Sequence, residues 1–119
     1  MAKVALLCPD LLFGSKVEGG LAAAGHDVVR VDGEDAARAT AHGSDLLVVD
    51  LTDDRFDGPA LVEAMRAGGE LDGVATLGFY AHVDTDTRRR AEAAGFDAVV
   101  PRSRMARDMA ALVERAIGS

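Results

Sequence analysis

The sequence is short of aromatic residues, cysteine and positive charge. Its 119 residues include no Trp, one Tyr and one Cys, and aromatic residues make up 4% of the chain. A single cysteine excludes an internal disulfide and gives no sign of an oxidising compartment. Thirteen Lys and Arg residues stand against 20 Asp and Glu residues, for a net charge of −7. A surface this acidic repels a phosphate backbone, so we expect no nucleic-acid partner.

Long hydrophobic runs are also absent. No apolar run approaches the roughly 18 residues of a membrane-spanning helix, so we expect no membrane association. The segment Met1–Val4 leads directly into an apolar run and lacks the layout of a signal peptide, which predicts a cytoplasmic protein. The chain is nevertheless 49% hydrophobic, enough for a core of Ala, Val, Leu and Met. Its length fits a single domain over residues 1–119.

Short apolar runs alternate with segments of helical spacing. The runs lie at 4–8, 28–31, 46–49, 74–77 and 99–100, and their continuous apolar character predicts strands buried on both faces. Between them, apolar residues recur every three or four positions, most clearly over 105–116. Strict alternation of five strands and five helices predicts an α/β fold, with a parallel sheet covered by helices on both faces.

Glycines and small polar residues punctuate this pattern. Gly58 and Ser103 are predicted to cap the third and fifth helices, and Asp84 or Thr85 the fourth. Gly19-Gly20 belongs to no nucleotide-binding motif, and lies within a helical pattern, where it predicts a close contact between that helix and the sheet.

Ligands of such sheets bind beyond the carboxyl ends of the strands, which selects the residues to consider. Cys8, Pro9 and Asp10 follow the first strand, and Asp50 to Asp54 follow the third. Tyr80 to Asp84 follow the fourth strand, and Arg102-Ser103 follow the fifth.

Several of these segments resemble a known family. The stretch from Asp50-Leu51 to Asp57-Gly58, with Leu61 three positions on, resembles the segment after the third strand of response-regulator receiver domains, the CheY-like family. Tyr80-Ala81, Ala94-Gly95 and Pro101-Arg102 resemble later motifs of the same family, so the resemblance covers essentially the whole chain. It implies a flavodoxin-like, Rossmann-like three-layer α/β/α sandwich with strand order 2-1-3-4-5. It also implies a bacterial phosphorelay protein in which Asp50 occupies the phospho-acceptor position.

The departures from this family concern its chemistry. The acidic pair that holds Mg²⁺ in receivers is replaced by Cys8 and Pro9, the switch Thr or Ser by Tyr80, and the invariant Lys by Arg102. A thiol and a proline cannot supply the hard oxygen ligands that Mg²⁺ requires. We therefore expect a pseudo-receiver without a cofactor, in which Asp50 pairs with Arg102 and the Tyr80 ring is partly buried. The predicted pocket edge comprises Cys8, Asp10, Thr52, Asp53, Tyr80 and Arg102.

The sequence leaves the function open among three classes. The leading prediction is a non-enzymatic signalling or interaction module with a protein partner, in which Arg88, Arg89 and Arg90 offer a docking surface and a homodimer is possible. A second prediction is an enzyme-like phosphate carrier that uses the Cys8 thiolate. A third is a small-ligand binder at the carboxyl edge of the sheet.

Overall fold

The computed structural model describes residues 1–118, so that Ser119, the last residue of the predicted domain, lies outside the described residues. Strands and helices alternate along the chain: β1 Lys3–Leu7, α1 Leu11–Ala23, β2 Asp27–Val31, α2 Glu34–Ala41, β3 Leu46–Asp50, α3 Gly58–Ala67, β4 Ala75–Tyr80, α4 Thr85–Ala94, β5 Ala98–Pro101 and α5 Arg102–Gly118. The five strands are all parallel and lie in the order β2-β1-β3-β4-β5. The predicted fold class and strand order are confirmed.

The two faces of the sheet carry separate hydrophobic layers. Helices α1 and α5 cover one face, where Leu6, Val48 and Phe79 are buried. Helices α2, α3 and α4 cover the other, where Leu7 and Val49 are buried. The central strands β1 and β3 therefore contribute side chains to both layers, as their continuous apolar runs predict. We call these two layers the α1/α5 face and the α2–α4 face.

Two of the predicted helix caps differ in the structure. Asp57 caps α3 by accepting a hydrogen bond from Ala60 N, while Gly58 is already helical. Helix α5 starts at Arg102, directly after β5, so Ser103 lies inside its first turn. The prediction for α4 is confirmed, because Asp84 accepts from Thr87 N. A carboxylate at the N-cap satisfies an otherwise unpaired backbone N–H and complements the helix dipole, which favours Asp over the glycine.

Close packing of α1 on α5 explains one glycine. A Cβ placed on Gly20 would collide with the Met109 sulfur, so the glycine lets the two helices approach. The predicted close contact of Gly19-Gly20 with the sheet is therefore wrong, because Gly20 faces α5 and, among the described residues, nothing lies close to Gly19. No helix within residues 1–118 combines the length and apolar composition needed to cross a bilayer.

Candidate functional site

Asp50 ends β3 at the carboxyl edge of the sheet and is 1% exposed. Its Oδ1 accepts hydrogen bonds from the Thr52 backbone N–H at 2.8 Å and from the Thr52 hydroxyl at 2.5 Å. Its Oδ2 accepts from the Cys8 thiol, with Sγ at 3.5 Å. Both oxygens of this buried carboxylate are thus held by uncharged donors, which lower the cost of its burial without supplying a counter-charge.

Cys8 follows β1 and is as buried as Asp50, at 1% exposure. Burial, and then the neighbouring Asp50 carboxylate, raise the pKa of the Cys8 thiol to about 12. The thiol is therefore protonated at neutral pH and acts as a hydrogen-bond donor. A phosphate-accepting cysteine needs the thiolate and a positive surrounding, and Cys8 has the opposite environment.

The segment between β1 and α1 holds a single carboxylate, that of Asp10. Mg²⁺ requires oxygen ligands in octahedral geometry, and the Cys8 and Pro9 side chains offer none. The nearby carboxylate of Asp10 caps α1 through the Phe13 backbone N–H at 2.9 Å and also contacts Arg102. Across residues 1–118, no group of three or more His, Cys, Asp or Glu side chains could hold a metal ion.

Arg102, which the resemblance matches to a lysine of receiver domains, contacts Asp10 and Phe13. Its Nη2 lies 3.4 Å from Asp10 Oδ2, and its guanidinium stacks 4.2 Å from the centre of the Phe13 ring. Among the described residues it forms no ion pair with Asp50, so the predicted Asp50–Arg102 contact is wrong. The Arg102 and Asp10 side chains are 40% and 38% exposed. A partly hydrated pair over an aromatic face avoids the desolvation that the guanidinium would suffer at buried Asp50.

Two contacts at the start of α1 favour the ionised form of Asp10. The Phe13 backbone N–H, and after it the Arg102 guanidinium, hold the pKa of the Asp10 carboxyl below its usual value. Asp10 is therefore an ionised cap that also fixes Arg102. The structure places this predicted pocket residue beside Arg102, while the Asp50 oxygens are taken up by Cys8 and Thr52.

Two phenylalanines that sequence reasoning missed complete this region. Phe79 lies opposite Asp50 in the β3–β4 register and is fully buried on the α1/α5 face. Its ring centre is 5.0 Å from that of Phe13, with the planes tilted by 50°. The rings connect the surroundings of Asp50 to Arg102 through packed apolar surface. Strict alternation of side chains along β4 is the sequence signal that could have identified Phe79.

Tyr80 is buried, with 6% exposure, but on the α2–α4 face, where Ala91 and Phe96 also lie. The sequence predicts only partial burial, whereas the structure buries the residue almost completely. Because successive side chains of a strand point to opposite faces, the ring does not fill the space beside Asp50, which belongs to the face of Phe79 and Cys8. Gly78 allows Leu51 and Phe96 to pack closely against β4, because a Cβ at this position would collide with both side chains.

The outer edge of the site, which we call the rim, consists of Asp53, Arg55 and Asp57 together with Arg90 of α4, and ion pairs connect these residues. Arg55 binds Asp53 with Nη2 at 2.6 Å from Oδ2, and these hydrogen bonds hold the pKa of Asp53 low. Arg90 of α4 reaches both oxygens of Asp57, at 2.8 and 2.7 Å. That contact ties α4 to the N-cap of α3.

The arginine run on α4 is not a bare basic patch. Besides the Arg90 contact with Asp57, Arg88 pairs with Glu92 and Arg89 with Asp86 along the same helix. Each positive charge of the predicted docking surface has a neighbouring carboxylate, so the surface is close to neutral and offers an acidic partner little attraction.

Comparison with solved structures identifies the fold. A candidate response regulator from Chloroflexus aurantiacus is 18% identical, covers 99% of this chain and 98% of its own, and superposes with a TM-score of 0.88. The receiver domain of the sensor histidine kinase PA1611 from Pseudomonas aeruginosa, which has a magnesium ion in its active-site cleft, is 19% identical, with coverages of 99% and 98% and a TM-score of 0.85.

The chemotaxis response regulator CheY4 of Vibrio cholerae is 18% identical, covers 98% of both chains and gives a TM-score of 0.82. No protein-family model matches the chain, and no curated protein does. Together with the parallel sheet of order β2-β1-β3-β4-β5, these superpositions show that the chain has the fold of a response-regulator receiver domain.

Proposed function

We propose that this protein is a pseudo-receiver, a non-enzymatic interaction module of signal transduction that does not use magnesium-dependent phosphorylation of Asp50. The observation that carries the proposal is the state of the Asp50 carboxylate. Its oxygens are bonded by the Cys8 thiol and by Thr52, and the nearby guanidinium of Arg102 is engaged by Asp10.

Phosphoryl transfer requires positive charge at the equatorial oxygens of the moving group, which a metal ion mostly supplies. Here the residues at the metal positions are Cys8 and Pro9, and Arg102 is bound elsewhere. A phosphoryl group on Asp50 would also have to displace the bonds from Cys8 and Thr52. We therefore propose that the partner recognises this edge in a single, unswitched state, without a cofactor.

The pKa of Cys8 supports this proposal over the phosphate carrier. A thiol whose pKa is raised to about 12 is almost wholly protonated at neutral pH and is a poor nucleophile. A carrier would need the thiolate at the same position.

Phosphodonor labelling tests the proposal directly. The protein is incubated with acetyl phosphate and Mg²⁺, and its intact mass is measured. We expect no added phosphoryl group. Stoichiometric labelling of the wild-type protein that disappears in Asp50→Asn would contradict the proposal, since it would show an accessible and activated acceptor.

A restoring variant sharpens this test. Replacing both Cys8 and Pro9 by Asp adds two carboxylates to that of Asp50 at one edge of the sheet, where they repel each other until a divalent cation binds. Addition of Mg²⁺ should raise the thermal midpoint of Cys8→Asp/Pro9→Asp in a concentration-dependent manner and leave that of the wild type unchanged. An equal rise in both proteins would mean that the native residues already hold the ion.

A further inference from the structure

A crevice separates the β1–α1 loop from the end of β2 and the start of α2. Its volume is about 340 Å³, and its lining includes Pro9, Leu11, Arg30, Val31, Asp32 and Ala36. It is separate from the rim of Asp53, Arg55 and Asp57, which lines another pocket. Most of the residues in the crevice wall are apolar, and concave apolar sites with a few polar groups are where proteins bind ligands and partner side chains.

Two consecutive leucines project next to the crevice. Leu11 is 74% exposed and Leu12 87% exposed, whereas the inner face of α1 is buried through residues such as Val17 and Leu21. Because both side chains are so exposed, neither leucine is part of the hydrophobic core of the domain. Covering them would remove apolar surface from water, which favours association with an apolar partner.

The charge beside the crevice is negative. The exposed residues Asp32, Glu34 and Asp35 form no direct ion pair among residues 1–118, although the Arg55 guanidinium interacts electrostatically with Asp32. The one cation in the crevice wall, Arg30, is bound to Glu18 at 3.3 Å and to the Asp10 carbonyl at 3.5 Å. Three carboxylates thus face the single guanidinium of Arg55 at this margin of the recess, so its net charge is negative and attracts a positively charged partner.

We propose that this crevice binds a segment of another protein that carries large aliphatic side chains next to lysine or arginine. An aliphatic side chain enters the recess between Leu11 and Ala36, and the basic side chain meets Asp32 and the first turn of α2. A second copy of this chain is a poor occupant, because each copy carries a net charge of −7 and the two repel each other. The inference rests on the proposed function as an interaction module and names the chemistry of the partner.

The test uses the full chain, labelled with ¹⁵N, and three synthetic peptides. The first is a short amphipathic peptide of leucine and lysine, the second has glutamate in place of lysine, and the third has serine in place of leucine. We expect the leucine–lysine peptide alone to bind, with amide shift changes centred on residues 9–12 and 30–36. The affinity should fall with added salt, as charge complementarity requires.

Variants of the crevice provide the second measurement. Leu11→Ser should weaken binding of the leucine–lysine peptide about tenfold, as loss of an apolar anchor does, and Asp32→Asn should weaken it several-fold. Ala36→Gln, which narrows the recess while keeping helix propensity, should also weaken binding. Val83→Ser is the matched control, because Val83 is 82% exposed outside the crevice, and it should bind the peptide like the wild type.

Several results would overturn the inference. They are shift changes centred away from the crevice, equal weakening by Leu11→Ser and Val83→Ser, equal binding of the glutamate peptide, or concentration-dependent dimerisation through the same residues. Labelling of Asp50 by acetyl phosphate would contradict the proposed function but leave peptide binding intact, so the two failures are distinguishable.

Discussion

The carboxylates at the carboxyl edge of the sheet fall into an interior group and a rim group. Asp50, in the interior, is 1% exposed and bonded by neutral donors. Asp53 and Asp57, on the rim, are bound by the guanidinium groups of Arg55 and Arg90. Positive charge therefore lies beside the rim carboxylates and not beside Asp50. Packing and hydrogen bonds hold the interior, whereas the Arg90–Asp57 pair of the rim, with both side chains half-exposed, is screened by solvent.

The largest loss of stability is expected when the buried ring of Phe79, which lies beside Asp50, is removed. Phe79→Ala removes a fully buried ring that packs against Phe13, and we expect it to lower the free energy of unfolding by about 3–5 kcal/mol. The matched control is Phe56→Ala, which removes a partly buried ring of the rim and should cost clearly less. Equal shifts of the two denaturant midpoints would remove the distinction between interior and rim.

An effect that is intermediate per pH unit is expected from Cys8 at alkaline pH. The folded-state pKa of the thiol is raised from 9.0 to about 12, so its contribution to stability is fully present below the lower value and is lost as the pH rises towards the higher one. Over that window the wild type should lose up to about 1.4 kcal/mol per pH unit relative to Cys8→Ala. Urea unfolding of both proteins at a series of pH values through the window measures this slope.

If the free energies of unfolding of the wild type and Cys8→Ala changed in parallel with pH, the Cys8 thiol would ionise freely in the folded state, and the prediction would be wrong. Reaction with a thiol reagent gives an independent reading. We expect the native protein to react slowly, and the denatured protein to react at the rate of an exposed cysteine.

The smallest effect is expected on the rim. Arg90→Gln breaks the contact with Asp57, and we expect a loss of less than about 1 kcal/mol because both partners are half-exposed. Arg88→Gln is the matched control, since Arg88 pairs within its own helix, with Glu92. A loss of several kcal/mol in Arg90→Gln, measured by urea unfolding, would mean that the rim holds the fold together.

The pH dependence of this rim contact provides a further check. The Ala60 N–H, and after it the Arg90 guanidinium, hold the pKa of the Asp57 carboxyl below its usual value. The stability gained from the ionised carboxyl is therefore present above the ordinary carboxyl pKa and is lost as the pH falls through the lowered one. The difference between wild type and Arg90→Gln should accordingly vanish in acid, where Asp57 is protonated, and a difference that persists there would mean that Arg90 acts through packing.

The sequence predicts the architecture well because the relevant signals are local. Continuous apolar runs such as 4–8 and 46–49 identify the central strands, and their alternation with helical segments identifies the parallel sheet. The position of Asp50 at the end of β3 follows from the same pattern. Asp84 is one of two residues, with Thr85, that the sequence predicts as the cap of α4, because the preference for such a residue depends only on the adjacent helix.

The arrangement inside the site could not be predicted in the same way. Arg102 follows β5 at an edge that holds more than one carboxylate, and its choice of Asp10 depends on the Phe13 ring and on the cost of desolvation at Asp50. The role of Phe79 depends on the β3–β4 register, which places its side chain on the face of Asp50 and that of Tyr80 on the other. These are contacts between segments distant in sequence, and spacing along the chain does not encode them.

The strand order has a consequence for synthesis on the ribosome. Strand β1 pairs with β2 on one side and β3 on the other, so these strands can join once the chain has emerged as far as Asp50. Strand β4 then adds to the free edge of β3, and β5 to that of β4. After that first step, no strand has to be inserted between two that are already paired. The sheet can therefore grow outwards in the direction of translation, and the contact between Asp10 and Arg102, 92 residues apart, is among the last to close.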